Sequence, residues 1–199
     1  MKRTNKVWFT SDLHWGHANV IKYCNRPFDS VEEMDETLIT NFNECVQPHD
    51  TVYMLGDIAL TSLNLNKILT RLNGHKHLIF GNHDKEIRKE KYKHYFAWTG
   101  DYKEIKVDDE RIILMHYAMR TWNKQHRGAW QLYGHSHNNL PELPTLLSMD
   151  VGIDAHDYKP ISFEQVKAHM KEKIKFCEEN GLKLTEDHHT PTSIDKKKK

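Results

Sequence analysis

Five short apolar runs in this chain each end at once in a cluster of polar residues suited to holding ions or protons. Val7-Trp8-Phe9 leads to Asp12-Leu13-His14, and Val52-Tyr53-Met54-Leu55 leads to Gly56-Asp57. Leu78-Ile79-Phe80 leads to Gly81-Asn82-His83-Asp84, Ile112-Ile113-Leu114-Met115 to His116, and Leu132-Tyr133 to Gly134-His135-Ser136-His137. Short runs rich in branched and aromatic residues read as strands. In open α/β sheets, ligands bind off the carboxyl ends of strands. If the five strands are neighbours, their polar ends converge on one site.

The rest of the pattern supports α/β layers. Further strands are expected over residues 147–151 and 102–107, the latter forming a hairpin with 111–115 through Asp108-Asp109-Glu110. Ser30-Val31-Glu32-Glu33 and Ser162-Phe163-Glu164-Gln165 read as capping boxes, each opening a helix with one apolar face. A helix is also expected over residues 64–72, stopped by Asn73-Gly74. One folded unit over residues 1–182 is the expectation, with 183–199 a polar tail.

Composition excludes several functional classes. Of 199 residues, 38% are hydrophobic and 29% charged. No apolar run approaches the roughly 18 residues of a membrane span. The first residues lack the apolar stretch of a signal peptide. Cys24, Cys45 and Cys177 form no paired motif, so each reads as a small buried residue in a reducing, cytoplasmic setting. Basic and acidic residues number 29 and 28, and four of the basic ones are Lys196–Lys199. The remainder is therefore slightly acidic, which argues against a dedicated nucleic-acid binder.

The strand-end residues define the chemistry. Asp12, His14, Asp57, Asn82, His116, His135 and His137 supply carboxylate, imidazole and one amide oxygen, without thiolate. Such a set suits Mn²⁺, Fe or Zn²⁺ in mixed N/O coordination. Seven side chains exceed the needs of one tetrahedral ion, whereas two ions sharing a carboxylate would use them all. Asp12 and His14 are two residues apart, as are His135 and His137, so in extended segments each pair would face one way.

In their order, Asp12-x-His14, Gly56-Asp57, Gly81-Asn82-His83-Asp84, His116 and Gly134-His135-x-His137 resemble the five-block signature of calcineurin-like metallophosphoesterases. Asn25-Arg26-Pro27-Phe28 and Met149-Asp150-Val151-Gly152-Ile153-Asp154 resemble the small bacterial and phage members, so the likeness spans about residues 6–165. It implies an α-β-β-α fold, a β-sandwich of mixed sheets flanked by helices. It implies one ion on Asp12, His14, Asp57 and His137 and another on Asp57, Asn82, His116 and His135. Mn²⁺ is the first expectation, with Fe, Zn²⁺, Ni²⁺ or Co²⁺ as substitutes. The implied reaction is hydrolysis of a phosphodiester or phosphomonoester by a metal-bridging hydroxide. A nucleotide phosphoanhydride is the alternative substrate, and a silent binding scaffold the alternative role. A nucleotide or nucleic-acid end would be a fitting partner.

His83 falls outside the ligand set and is expected to protonate the leaving group, with Asp84 orienting its ring. His17 reads either as a phosphate contact or as a partner of a loop carbonyl. Lys85–Lys93 carries five basic and two acidic residues, a solvated face or a basic wall. After His116, Arg120 could grip a phosphate and Trp122 could stack on a base, or both could be structural. Asp154-Ala155-His156-Asp157 reads as supporting structure.

Overall fold

The computed structural model describes residues 5–60 and 64–184. The expected polar tail therefore lies almost wholly outside the described residues. Leu184, near its start, packs against the inter-sheet core.

Among the described residues, nine strands form two mixed sheets. The first has the order β4-β3-β2-β1-β9, built from Trp98–Gly100, His75–Ile79, Thr51–Met54, Val7–Thr10 and Ile161–Ser162. Strands β1 to β4 run parallel, and β9 is antiparallel to β1. The second sheet, β5-β6-β7-β8, comprises Tyr102–Val107, Glu110–Met115, Trp130–Tyr133 and Ser148–Asp150. Here β5 and β6 form the expected hairpin, and β6, β7 and β8 are parallel. The five strands with polar ends are thus divided three and two between the sheets, and are not neighbours in one.

Side chains alternate across the strands, as the pleat requires. On β1, Trp8 joins the core beneath the helices and Phe9 joins the core between the sheets. Leu78 and Ile79 of β3 divide in the same way. The helix layer consists of α1 (Ala18–Tyr23), α2 (Val31–Cys45) and α3 (Leu65–Leu69), with Met34, Leu38, Ile39 and Phe42 of α2 wholly buried. Between the sheets lie Ile112, Leu114, Trp130 and Leu132, joined by Phe163, Val166 and Met170 of α4 (Phe163–Glu179).

The two capping motifs differ. Ser162 and Gln165 make the complete reciprocal box at α4. At α2, Ser30 accepts the Glu33 N–H, but the Glu33 carboxylate takes the N–H of Asp29, one residue earlier than expected. Helix α3 ends at Leu69, short of the expected Leu72, and the Thr70 hydroxyl bonds back to the carbonyls of Asn66 and Lys67. Such back-bonding competes with continuation of a helix.

Candidate metal centre

All five polar strand ends meet at one edge of the sandwich. Cross-sheet bonds hold them together: the His135 N–H donates to both oxygens of Asp12, and the Ser11 segment pairs with Gly152. This closeness explains Gly134. A Cβ there would stand 1.9 Å from Ser11 Oγ and 2.6 Å from Asp12 Oδ2. Gly56 combines a turn at φ +92°, which a side chain would strain, with a close approach: a Cβ there would stand 2.6 Å from His116 Nδ1.

Asp12, His14, Asp57, His135 and His137 all adopt left-handed backbone conformations, with φ between 46° and 68°. Such conformations are uncommon for residues with side chains and collect at functional sites. They correct the expectation that Asp12 and His14, or His135 and His137, share a face through strand alternation. These pairs converge because each member turns out of the strand path.

Among the groups of side chains whose ligand atoms lie within 4.8 Å of one another, two stand at the strand ends: Asp12, His14 and His137, and Asp57, His116 and His135. Asp57 joins them. Its Oδ2 lies 3.6 Å from His14 Nε2 and 3.5 Å from His116 Nε2. Asn82 Oδ1 is 3.1 Å from the same His116 nitrogen.

The histidines are anchored by one nitrogen and aimed by the other. His116 Nδ1 donates to Leu55 O at 2.7 Å, and His137 Nδ1 meets Asp154 Oδ2 at 2.7 Å. His14 Nδ1 lies 3.4 Å from His17 Nδ1. The Nε2 of His116 then faces Asn82 Oδ1 and Asp57 Oδ2, and buried His14 Nε2 has no hydrogen-bond partner. A buried imidazole nitrogen left without a partner beside carboxylates is an arrangement that a cation completes. The donor set therefore fits metal ions.

Electrostatics agree. Burial pushes the Asp12 carboxyl up to about 7. Burial also holds His14 neutral, against the attraction of Asp57. Asp57 is itself disfavoured as an anion by burial, but the His116 hydrogen bond and charge outweigh this and keep it ionised. Burial opposes the charge on His137, yet its bonds to Asp154 and Cys24 and the Asp12 charge lift it to about 10.

Arg26 has a structural role that the sequence left unassigned, and Asp154 takes the supporting role expected of its stretch. Arg26, almost wholly buried, pairs with both oxygens of Asp154 at 2.8 Å. The same guanidinium holds the carbonyls of Asp12 at 2.7 Å and Leu13 at 3.1 Å. It thereby fixes the first strand end to the carboxylate that orients His137. The sequence signal was the pair of flanking stretches containing these residues, of which only the one with Asp154 was expected to be supporting structure.

The remaining expectations fare unequally. His83 sits at the mouth, its side chain 40% exposed and its Nε2 4.0 Å from Asp57 Oδ2. Asp84 does not take up its ring. The carboxylate is buried and accepts the N–H groups of Asp57, Ile58 and Gly81, so it braces two loops against each other. His17 lies at the rim, 6.3 Å from His83 between ring centroids. Trp122 is not available for stacking. It is 8% exposed, packs with Ile113 and Ala129, and donates to Ala129 O at 2.7 Å. Arg120 is exposed on the loop after His116. In the 85–93 segment Glu86 pairs with Lys89 and Lys91, Glu90 pairs with Lys93, and Arg88 pairs with Asp101, so most of its charge is neutralised locally. Of the cysteines only Cys177 is fully buried, while Cys24 borders His137 and Asp154.

Fold and cluster together define a metal-dependent phosphoesterase. The chain belongs to the calcineurin-like phosphoesterase superfamily, whose domain profile matches residues 6–143. It is 37% identical over 169 residues to an uncharacterized protein of Methanocaldococcus jannaschii, covering 81% of this chain and 89% of that one. The Gene 66 protein of Mycobacterium phage D29 is 28% identical over 187 residues, covering 79% and 92%. A crystal structure of a protein of unknown function from Aquifex aeolicus superposes with a TM-score of 0.69 at 28% identity, covering 83% of this chain and all of that one. No helix among the described residues is long and apolar enough to cross a membrane.

Proposed function

We propose that the chain hydrolyses a phosphodiester or phosphomonoester at a two-ion centre. Asp12, His14, Asp57 and His137 would hold one ion, and Asp57, Asn82, His116 and His135 the other. The observation that carries this reading is the single Asp57 oxygen set almost equally between His14 and His116. A divalent pair supplies a nucleophilic water at neutral pH and offsets charge on the phosphoryl oxygens. The mixed N/O donors favour Mn²⁺, with Fe, Zn²⁺, Ni²⁺ or Co²⁺ as substitutes.

The chain's own residues do the rest. Asp57 and Asp12 set the charge of the centre. Asp154, through His137 Nδ1, fixes the ring that faces Asp12. His83 is exposed enough to reach substrate, and its backbone N–H is tied to Asp57 Oδ1 at 2.9 Å. It is placed to give a proton to the departing oxygen. Asp84 is a positioning residue, the rim group His17 is open to phosphoryl oxygens, and Arg120 is exposed on the loop after His116.

The test is hydrolysis of an activated aryl phosphodiester beside its monoester, using protein stripped of metal and refilled with Mn²⁺, Zn²⁺ or Mg²⁺. Metal-restored turnover that Asp57→Asn lacks is the expected result. Absence of both turnover and bound metal would favour a non-catalytic scaffold.

A further inference from the structure

One exposed tyrosine stands beyond each half of the cluster. Tyr23, at the end of α1, is 77% exposed and meets the ring of His17 edge-on at 6.5 Å between centroids. Tyr117, 41% exposed, meets His135 at 4.7 Å and His116 at 5.0 Å, and donates its hydroxyl to Asn82 Oδ1 at 3.3 Å.

A short chain of contacts links the two across the mouth. Tyr23 meets His17, and His17 meets His14 at 5.4 Å. Asp57 bridges His14 to His116, which meets Tyr117. The place where phosphorus would sit therefore has an aromatic ring on either side. A single exposed tyrosine needs no explanation. Two, each braced by a histidine of the site and each open to solvent, form a pair of stacking platforms. Every nucleobase offers a π-face to such a platform. A phosphomonoester carries an organic group on one side only and would leave one ring idle.

Charge sets the size of the ligand. The slightly acidic body and the locally paired 85–93 segment argue against a long basic track among the described residues. Tight binding of an extended duplex needs such a track. A short single-stranded ligand needs only the centre and the two rings.

Building on the phosphoesterase reading above, we propose that the substrate is a phosphodiester joining two nucleosides, either a dinucleotide or the end of a single strand. One base would stack on Tyr23 and the next on Tyr117. Water adds to phosphorus, the P–O bond to one nucleoside breaks, and that nucleoside leaves as the alcohol with a proton on its oxygen. The products are one nucleoside or shortened strand and one nucleotide.

Two esters with a common p-nitrophenolate leaving group isolate the flanking group: the thymidine 5′-phosphodiester and the ethyl phosphodiester, both assayed with Mn²⁺. Wild type is expected to favour the thymidine ester about tenfold or more in kcat/KM, in the range of base–aromatic stacking. Tyr23→Ala or Tyr117→Leu should erase most of that preference, and Tyr117→Phe should keep it. Turnover of both esters without preference, or a preference that survives in both ring-removing variants, would overturn the inference while leaving the phosphoesterase reading intact. A second measurement is independent of turnover: anisotropy of a labelled thymidylate hexamer. Binding that weakens about tenfold in each ring-removing variant supports the clamp. No binding by wild type, or equal binding by the variants, overturns it even if neither ester is cleaved.

Discussion

The two halves of the centre are built to different standards. On the Asp12–His14–His137 side, Asp12 and His14 are buried, and His137 is braced by Asp154, which is braced in turn by Arg26. On the Asp57–Asn82–His116–His135 side, His116 is buried and anchored to Leu55 O, but Asn82 and His135 are exposed. Their near neighbour is the exposed ring of Tyr117. One half is locked before an ion arrives, while the other keeps two donors at the solvent edge. The difference places rigidity where a metal must be held and access where a substrate must enter. Pre-organised ligands cost less to order on binding, so the locked half should bind its ion more tightly.

The largest effect should come from removing what the halves share. Asp57→Asn takes the common oxygen from both, and turnover is expected to fall by about 10³-fold or more, with ion content measured by elemental analysis falling too. Next comes the locked half alone. Asp154→Asn loses the carboxylate that orients His137, and such changes cost roughly 10–100-fold in metal affinity. The same change leaves Arg26 short of its buried partner, so Tm should drop as well. On the open half, Tyr117→Phe removes only the hydroxyl contact to Asn82, and a change of about threefold or less in metal affinity is expected. A larger loss there than in Asp154→Asn would reverse the comparison.

A subtler test uses pH. In the metal-free protein Asp12 is pushed up to about 7, above the ordinary value of 3.8, by burial. The folded state then keeps a proton that the unfolded chain loses, so this group's contribution to stability is present at low pH and declines as pH rises from about 4 through about 7. An ion replaces that proton. The gap in Tm between metal-loaded and stripped protein should therefore widen over that range, and Asp12→Asn should flatten it.

How much of this was legible in the sequence follows from what each feature depends on. Seven of the nine described strands and the main helix faces were visible because burial imposes a period of 2 or 3.6, as at Trp8-Phe9 or Val166 and Met170, while the two- and three-residue strands at the edges of the first sheet were too short to show one. The candidate ligand residues stood out because each follows directly on such a run. Their left-handed conformations were not, since Asp12 and His137 look no different in sequence from residues of an extended segment. Trp122 misled because its loop follows His116, yet its side chain turns inward to cover Ile113. Asp84 misled because it adjoins His83 in sequence, while its carboxylate points back to the N–H groups of Asp57 and Ile58. The pairing of Arg26 with Asp154 was out of reach because they lie 128 residues apart and meet only through the fold.

The central claim is that two unequal ion sites share Asp57, and calorimetric titration of stripped protein with Mn²⁺ tests it most directly. The account predicts two ions per chain in two resolved steps, with Asp154→Asn weakening the tighter step and leaving the weaker one nearly in place. A single ion per chain, or two identical steps lowered equally by Asp154→Asn, would contradict it.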